Sequence, residues 1–299
     1  MKNLITILLL FSAKLFAQTG ISDSAQAGIP APIAGEEIVH HSAYSLSYNE
    51  KYEIANWVAY ELTKEETVSA FARTNKFIPD PLVKTGSADD ADYAASGYDR
   101  GHLAPAADME FSETAVKESF YFSNMTPQLP AFNRGIWKEL EEQTREWAVE
   151  YQSIYIVTGP VLPGTKYIGH DSVLVPEYFY KIILDLHDSV PKAIAFLMKN
   201  EASNLPVNDF AVTVDSVEKL TGINFFAKLN EKTQTEVESK IDLSQWDWTV
   251  HFVTPPITDN SSSTTQPLKK AVQCSAMTKK GVRCKNMTTN ANGRCNMHQ

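Results

Sequence analysis

Most of this chain has no cysteine. All three, Cys274, Cys284 and Cys295, fall in the last 26 of 299 residues. A disulfide framework is therefore excluded for everything before them, and the fold there must rest on an apolar core. A segment of this length can bury one. Positive charge is scarce as well. Residues 18–259 hold 18 lysines and arginines against 36 acids, a net charge of −18. Such a body repels polyanions in general, so any phosphate chemistry in it must rest on a local cluster of bases. Beyond the first twenty residues no apolar run is long enough for a bilayer-spanning helix, so no membrane partner is expected. Internal repeats are absent.

The ends differ from the middle. "MKNLITILLLFSAKLFAQTG" opens with Lys2, continues with an apolar run from Leu4 to Phe11, and reaches a small residue at Ala17. This order reads as a signal peptide over 1–17, and implies a secreted or periplasmic protein. Residues 18–39, rich in Ala, Gly, Ser and Pro, read as a flexible leader. After Asp259 there is no acid but there are seven bases: Lys269, Lys270, Lys279, Lys280, Arg283, Lys285 and Arg294. A net +7 after Asp259 against −18 over residues 18–259 points to separate jobs. "TPPITDNSSSTTQPLKK" reads as a linker, placed at 256–272, between a body at 40–255 and a tail at 273–299.

Within the body, "NWVAYELT" (56–63), "SIYIVTGP" (153–160), "EYFYKIILDL" (177–186) and "KAIAFLM" (192–198) are strand-like. "AVTVDSVEKLTG" (211–222) predicts a strand leading into a helix, with Asp215 as N-cap and Gly222 as C-cap. The strongest helix is predicted over 133–151. Ile136, Leu140, Trp147, Ala148 and Tyr151 form its apolar stripe, and Asn133 opens it. Strands without regular βαβ alternation imply an α+β fold.

Chemistry concentrates in "YDRGHLAPAADM" (98–109). Hydrolysis of a phosphodiester needs a base to activate water, a cation to balance charge, and a proton for the leaving oxygen. His102 beside Arg100 suits the base, because a neighbouring positive charge keeps imidazole neutral. Gly101 would let a phosphate backbone approach, and Asp99 could pin a neighbouring loop. Downstream, "FSNMTPQLPAFNRGIWKELEEQTREW" (122–147) supplies Asn124, Asn133, Glu141 and Arg145. Taken singly these read as an N-cap and a helical ion pair. Asn133 is equally a neutral oxygen ligand for a hard cation.

"DRGHLAPAADM", "YFSNMTPQ", "FNRGIW" and "YIVTGPVL" together resemble, in order and spacing, the DNA/RNA non-specific endonucleases of the ββα-metal (His-Me finger) superfamily. The resemblance spans about 40–255. It implies a central antiparallel sheet with flanking helices and a ββα-metal motif. It also implies that His102 is the general base, and that Asn133 is the one protein ligand of Mg²⁺ or Mn²⁺. Asn124 would help hold the arrangement, and Glu141 would bind metal-coordinated water. Arg100 and Arg145 would contact phosphate, as would Arg73 or, in its place, Lys76. A metal held by one neutral amide keeps nearly its full charge for the phosphate.

In the tail, Cys274, Cys284, Cys295 and His298 are spaced C-x9-C-x10-C-x2-H. Three thiolates and an imidazole suit tetrahedral Zn²⁺, and the segment resembles short Cys3His modules appended to some nucleases. A disulfide plus one thiol is the other reading. The sequence thus implies a secreted Mg²⁺-dependent endonuclease acting on DNA and RNA. The competing class is a catalytically weak nucleic-acid-binding protein with a nuclease-like fold.

Overall fold

Alternating burial along a few strands organises the molecule. The structure, a computed structural model, describes residues 25–33, 36–188 and 190–249, and in the tail 272–277, 283–285, 287–288, 292 and 294. The strands are β1 (Glu37–His40), β2 (Ser45–Asn49), β3 (Ile54–Thr63), β4 (Asp99–His102), β5 (Met125–Gln128), β6 (Ser153–Pro160), β7 (Lys166–Ile168), β8 (Val173–Val175), β9 (Tyr178–Asp185), β10 (Lys192–Lys199) and β11 (Ala211–Val212). Seven of them form one antiparallel sheet in the order β1-β2-β3-β6-β9-β10-β11. The helices are α1 (Asp90–Tyr93), α2 (Ala106–Met109), α3 (Glu113–Glu118), α4 (Pro130–Asn133), α5 (Ile136–Glu150), α6 (Val214–Thr221) and α7 (Glu231–Glu238). This is the α+β architecture that the sequence predicts.

Both faces of the sheet are covered. Val58, Tyr60 and Leu62 of β3 join Ile154 and Ile156 of β6 and Phe179 and Ile183 of β9 against Ile136, Trp137, Leu140 and Trp147 of α5. The alternate positions Trp57, Ala59, Tyr155, Val157, Tyr180 and Ile182 pack with Val214 and Val217 of α6 and Val237 of α7. Side chains alternate across a strand, so each central strand feeds two cores. Ala27, Ile29 and Ile38, in the stretch expected as a loose leader, pack against the second core.

Two helix starts differ from expectation. α6 is capped by Thr213, whose side chain accepts from Ser216 N, and not by Asp215. Asp215 falls in the first turn, where an acid favours the helix dipole. Gly222 does close α6, at φ 74°. α5 is not opened by Asn133, which ends the single turn α4. Gly135 occupies the N-cap of α5 at φ −109°, ψ −119°. A Cβ there would lie 2.5 Å from the carbonyl oxygen of Ala131, so the turn between α4 and α5 needs glycine.

β4 and β5 pair antiparallel outside the main sheet, with His102 opposite Met125 and Asp99 opposite Gln128. The chain then runs through α4 into α5. This hairpin plus helix is the ββα unit.

The chain divides into two compact units, 1–251 and 252–299. In the second, β12 (Val272–Gln273) pairs with β13 (Met287–Thr288), and Cys284 N donates to Ala276 O. Cys274 and Cys284 are buried together. Cys295 and His298 lie outside the described residues, as does the segment read as a signal peptide. Among the described residues no helix is long and apolar enough to cross a membrane.

Candidate active site

His102 ends β4, and its ring stands edge-on to Phe120, with centroids 5.0 Å apart, and 5.9 Å from Phe77. Its Nε2 is buried without a hydrogen-bond partner. Burial, and then the charge of Arg73, lower its pKa from 6.5 to about 3. This corrects the expectation that Arg100 keeps the imidazole neutral. The Arg100 guanidinium lies over Phe77 and Tyr93, at 5.2 and 5.7 Å, and pairs with Asp90 at 2.7 Å. Its Nε is also buried and without a partner. At Gly101 a Cβ would strike the Gln128 side chain across the strand pair, so the packing of β4 against β5 also takes a glycine.

Asn133 donates from Nδ2 to Asp99 Oδ2 at 2.9 Å. The amide therefore keeps its Oδ1 end for a ligand. Asp99 also accepts from Arg134 Nε at 2.7 Å and Nη2 at 2.5 Å, so it does pin the following loop. Burial pushes the Asp99 carboxyl up, but the bonds from Arg134 and Asn133 and the charges of Arg134 and Arg100 outweigh it, leaving the pKa below the usual value. One turn into α5, Glu141 is pushed up to about 7 by burial, against the pull of Lys181 and Arg145. Arg145, four residues on, pairs with buried Asp108 at 2.8 Å and not with Glu141.

One cleft is lined by Arg73, Arg100, His102, Asn133, Glu141 and Arg145. Arg134 and Lys138 line it as well, so five of the body's 18 bases converge here. That is the local cluster an acidic body needs for phosphate. Arg73 takes this place, not Lys76, with its guanidinium 5.5 Å from the Phe120 ring. Asn124 stands apart. It is fully buried behind the cleft, where its Oδ1 accepts from Ala104 N and its Nδ2 donates to Ala104 O and Ser119 O. It clamps the loop after His102. The donor set in the cleft, one amide oxygen and one carboxylate, fits a hard cation coordinated otherwise by water and phosphate. Two other groups with metal-ligand spacing, Asp89–Asp92–His170 and Asp215–Glu218–Glu238, lie elsewhere.

The model of the DNA/RNA non-specific endonuclease family matches residues 22–232. The chain belongs to this family. The mouse protein "Nuclease EXOG, mitochondrial" is 36% identical over 218 residues, covering 67% of this chain and 59% of that protein. "Nuclease 1, mitochondrial" of Schizosaccharomyces pombe is 33% identical over 238 residues, covering 72% of this chain and 73% of that one. A solved structure, of the EndoG/EndoGI complex showing EndoG inhibition, superposes with a TM-score of 0.65 at 32% identity, over 72% of this chain and 95% of that one. The chain spans about three-fifths of the length of the EXOG relatives it matches. The expectation of a secreted or periplasmic protein is corrected by these relatives. Their names place those relatives in mitochondria.

For a member of the non-specific endonuclease family, the sequence motifs missed Arg134, Lys138, Phe77 and Asp108. Arg134 was visible inside "FNRGIW". Asp108 had no local signal, because its partners come from β3 and α5.

Proposed function

We propose that the body is a metal-dependent endonuclease that hydrolyses phosphodiester bonds of DNA and RNA. The reading is carried by one cleft in which five bases lie beside His102, Asn133 and Glu141. A neutral His102 accepts a proton from attacking water. Arg73, Arg100 and Arg145 hold phosphate oxygens, and contacts to phosphate read neither base nor sugar type. Asn133, through Oδ1, and Glu141, through an intervening water, would hold Mg²⁺ or Mn²⁺. That ion supplies positive charge at the scissile phosphate. Asn124 keeps the His102 loop in place. In the tail we assign Zn²⁺ to Cys274, Cys284, Cys295 and His298, a reading supported by the joint burial of the first two; metal analysis of the purified tail tests it.

The experiment is incubation of plasmid DNA and of RNA with the protein, in Mg²⁺ or in EDTA, beside His102→Ala. Both substrates should be cut in Mg²⁺ alone, and loss of the base should slow cleavage about 10²–10⁴-fold. A variant with more than half of wild-type activity removes His102 from the role. Binding without cleavage by the wild type would instead favour the catalytically weak binding protein.

A further inference from the structure

Behind the cleft lies a carboxylate that the motifs leave without a role. Asp108 stands in α2, the turn that follows the His102 loop, and is 1% exposed. Both of its oxygens are engaged. Oδ1 accepts from Arg145 Nη1 at 2.8 Å, and Oδ2 accepts from the Tyr60 hydroxyl at 2.7 Å. Arg145 comes from α5 and Tyr60 from the middle of β3. One carboxylate thus joins the sheet, the His102 loop and the long helix at a single point. The Arg145 side chain is 22% exposed and lines the cleft. Tyr60 is itself buried in the main core, so the strut has a rigid base.

We propose that Asp108 is the positioning residue of Arg145, with Tyr60 orienting Asp108, and that the three set how firmly the cleft grips substrate phosphate. The inference rests on reading the cleft as a nuclease site. Arginine is long and carries large rotamer entropy, while its fork is planar. Fixing Nη1 on a buried carboxylate before substrate arrives aims the rest of that plane and removes an ordering cost from binding. Charge-assisted bonds of this kind are the strong ones. An exposed ion pair would hold the side chain far less firmly.

The test is a double-mutant cycle. Asp108→Asn keeps the shape and removes the charge; Tyr60→Phe removes one hydroxyl. Each is made alone and with Arg145→Ala. KM and kcat are measured on a long DNA duplex, and dissociation constants for that duplex are measured in EDTA on a His102→Ala background. Asp108→Asn should raise KM and Kd at least tenfold, and Tyr60→Phe should raise both by less. In the Arg145→Ala background each should add less than twofold, because a residue acting through another has nothing left to act on. An Asp108→Asn effect of equal size with and without Arg145 overturns the proposal, as does an unchanged Kd. If Asp108→Asn fails to fold, the Tyr60→Phe cycle decides alone. Wild-type protein that binds the duplex but never cuts it defeats the nuclease reading, while the binding cycle still decides the role of Asp108.

Discussion

Arg100 is already occupied when substrate arrives. Phe77 and Tyr93 hold its guanidinium by their faces, and Asp90 holds one edge. The Asp90 side chain is 68% exposed, so the pair contributes little to stability, about 0.2–1 kcal/mol. A phosphate must displace that carboxylate. Asp90→Asn should therefore lower KM about 1.5- to fivefold at low salt with kcat unchanged, the same energy returned as affinity. Steady-state kinetics on a short duplex check this; an unchanged or raised KM would show that Asp90 does not compete. Glu141 and His102 titrate in opposite directions from their ordinary values. Glu141, pushed up to about 7, becomes a neutral carboxyl as pH falls below 7 and loses its hold on a cation's water. The Mg²⁺ concentration for half-maximal rate should rise as pH drops through 7, approaching tenfold per unit for one competing proton. Glu141→Gln should flatten that dependence. His102, lowered to about 3, stays unprotonated over the same range. At saturating Mg²⁺, kcat should show no histidine limb near pH 6.5. A limb at 6.5 would mean that His102 titrates as an exposed imidazole does.

Among elements, the joint between α4 and α5 places both side chains proposed to hold the metal, Asn133 before it and Glu141 after it. Gly135 is its hinge, and a Cβ would meet backbone, which cannot yield as a side-chain tip can. Gly135→Ala should cost about 1–3 kcal/mol of strain. For a unit of this size each kcal/mol lowers Tm by roughly 2–4 °C. Thermal unfolding is compared with Asn133→Ala, which leaves the joint intact and gives up one bond to Asp99: both should lose Mg²⁺ response, and Gly135→Ala should lose more Tm. The elements also differ in how far the sequence disclosed them. β3, β6, β9 and β10 were legible because strands buried on both faces read as continuous β-branched and aromatic runs. α5 was legible from its stripe, Ile136 through Trp147. β4 and β5 carry the site and have no such signature. "DRGH" and "MTPQ" are four residues each, one with Gly and one with Pro, and their pairing is set by the packing around them. α1 to α4 are too short to show a 3.6-residue period. Six of the cleft residues, Arg73, Arg100, His102, Asn133, Glu141 and Arg145, were named by motif, but the cause of the lowered His102 pKa was not. Arg73 and the burying rings of Phe77 and Phe120 come from separate segments, and only the fold brings them to the histidine.

At the scale of the whole molecule, charge is the organising quantity. Residues 18–259 carry −18 and the chain after Asp259 carries +7. Five bases in one cleft suffice for the few phosphates around a cut site, but the remaining body surface repels the rest of a long polymer. The seven bases after Asp259 are of the sign that the body lacks. Each phosphate that a lysine or arginine neutralises releases counterions, so its share of affinity fades as salt is added. Truncation near residue 260 should therefore leave turnover on short oligonucleotides nearly unchanged and raise KM on long DNA at low salt. The gap between full-length and truncated protein should close as salt rises, and the plot of log KM against log salt should be shallower for the truncated form. Cys295→Ser should behave like the truncation if Zn²⁺ folds the tail, since a small metal-held unit unfolds without its ion. Equal KM on long DNA at low salt would deny the tail any hold on substrate. Lost activity on short substrates would instead make the tail part of the catalytic unit.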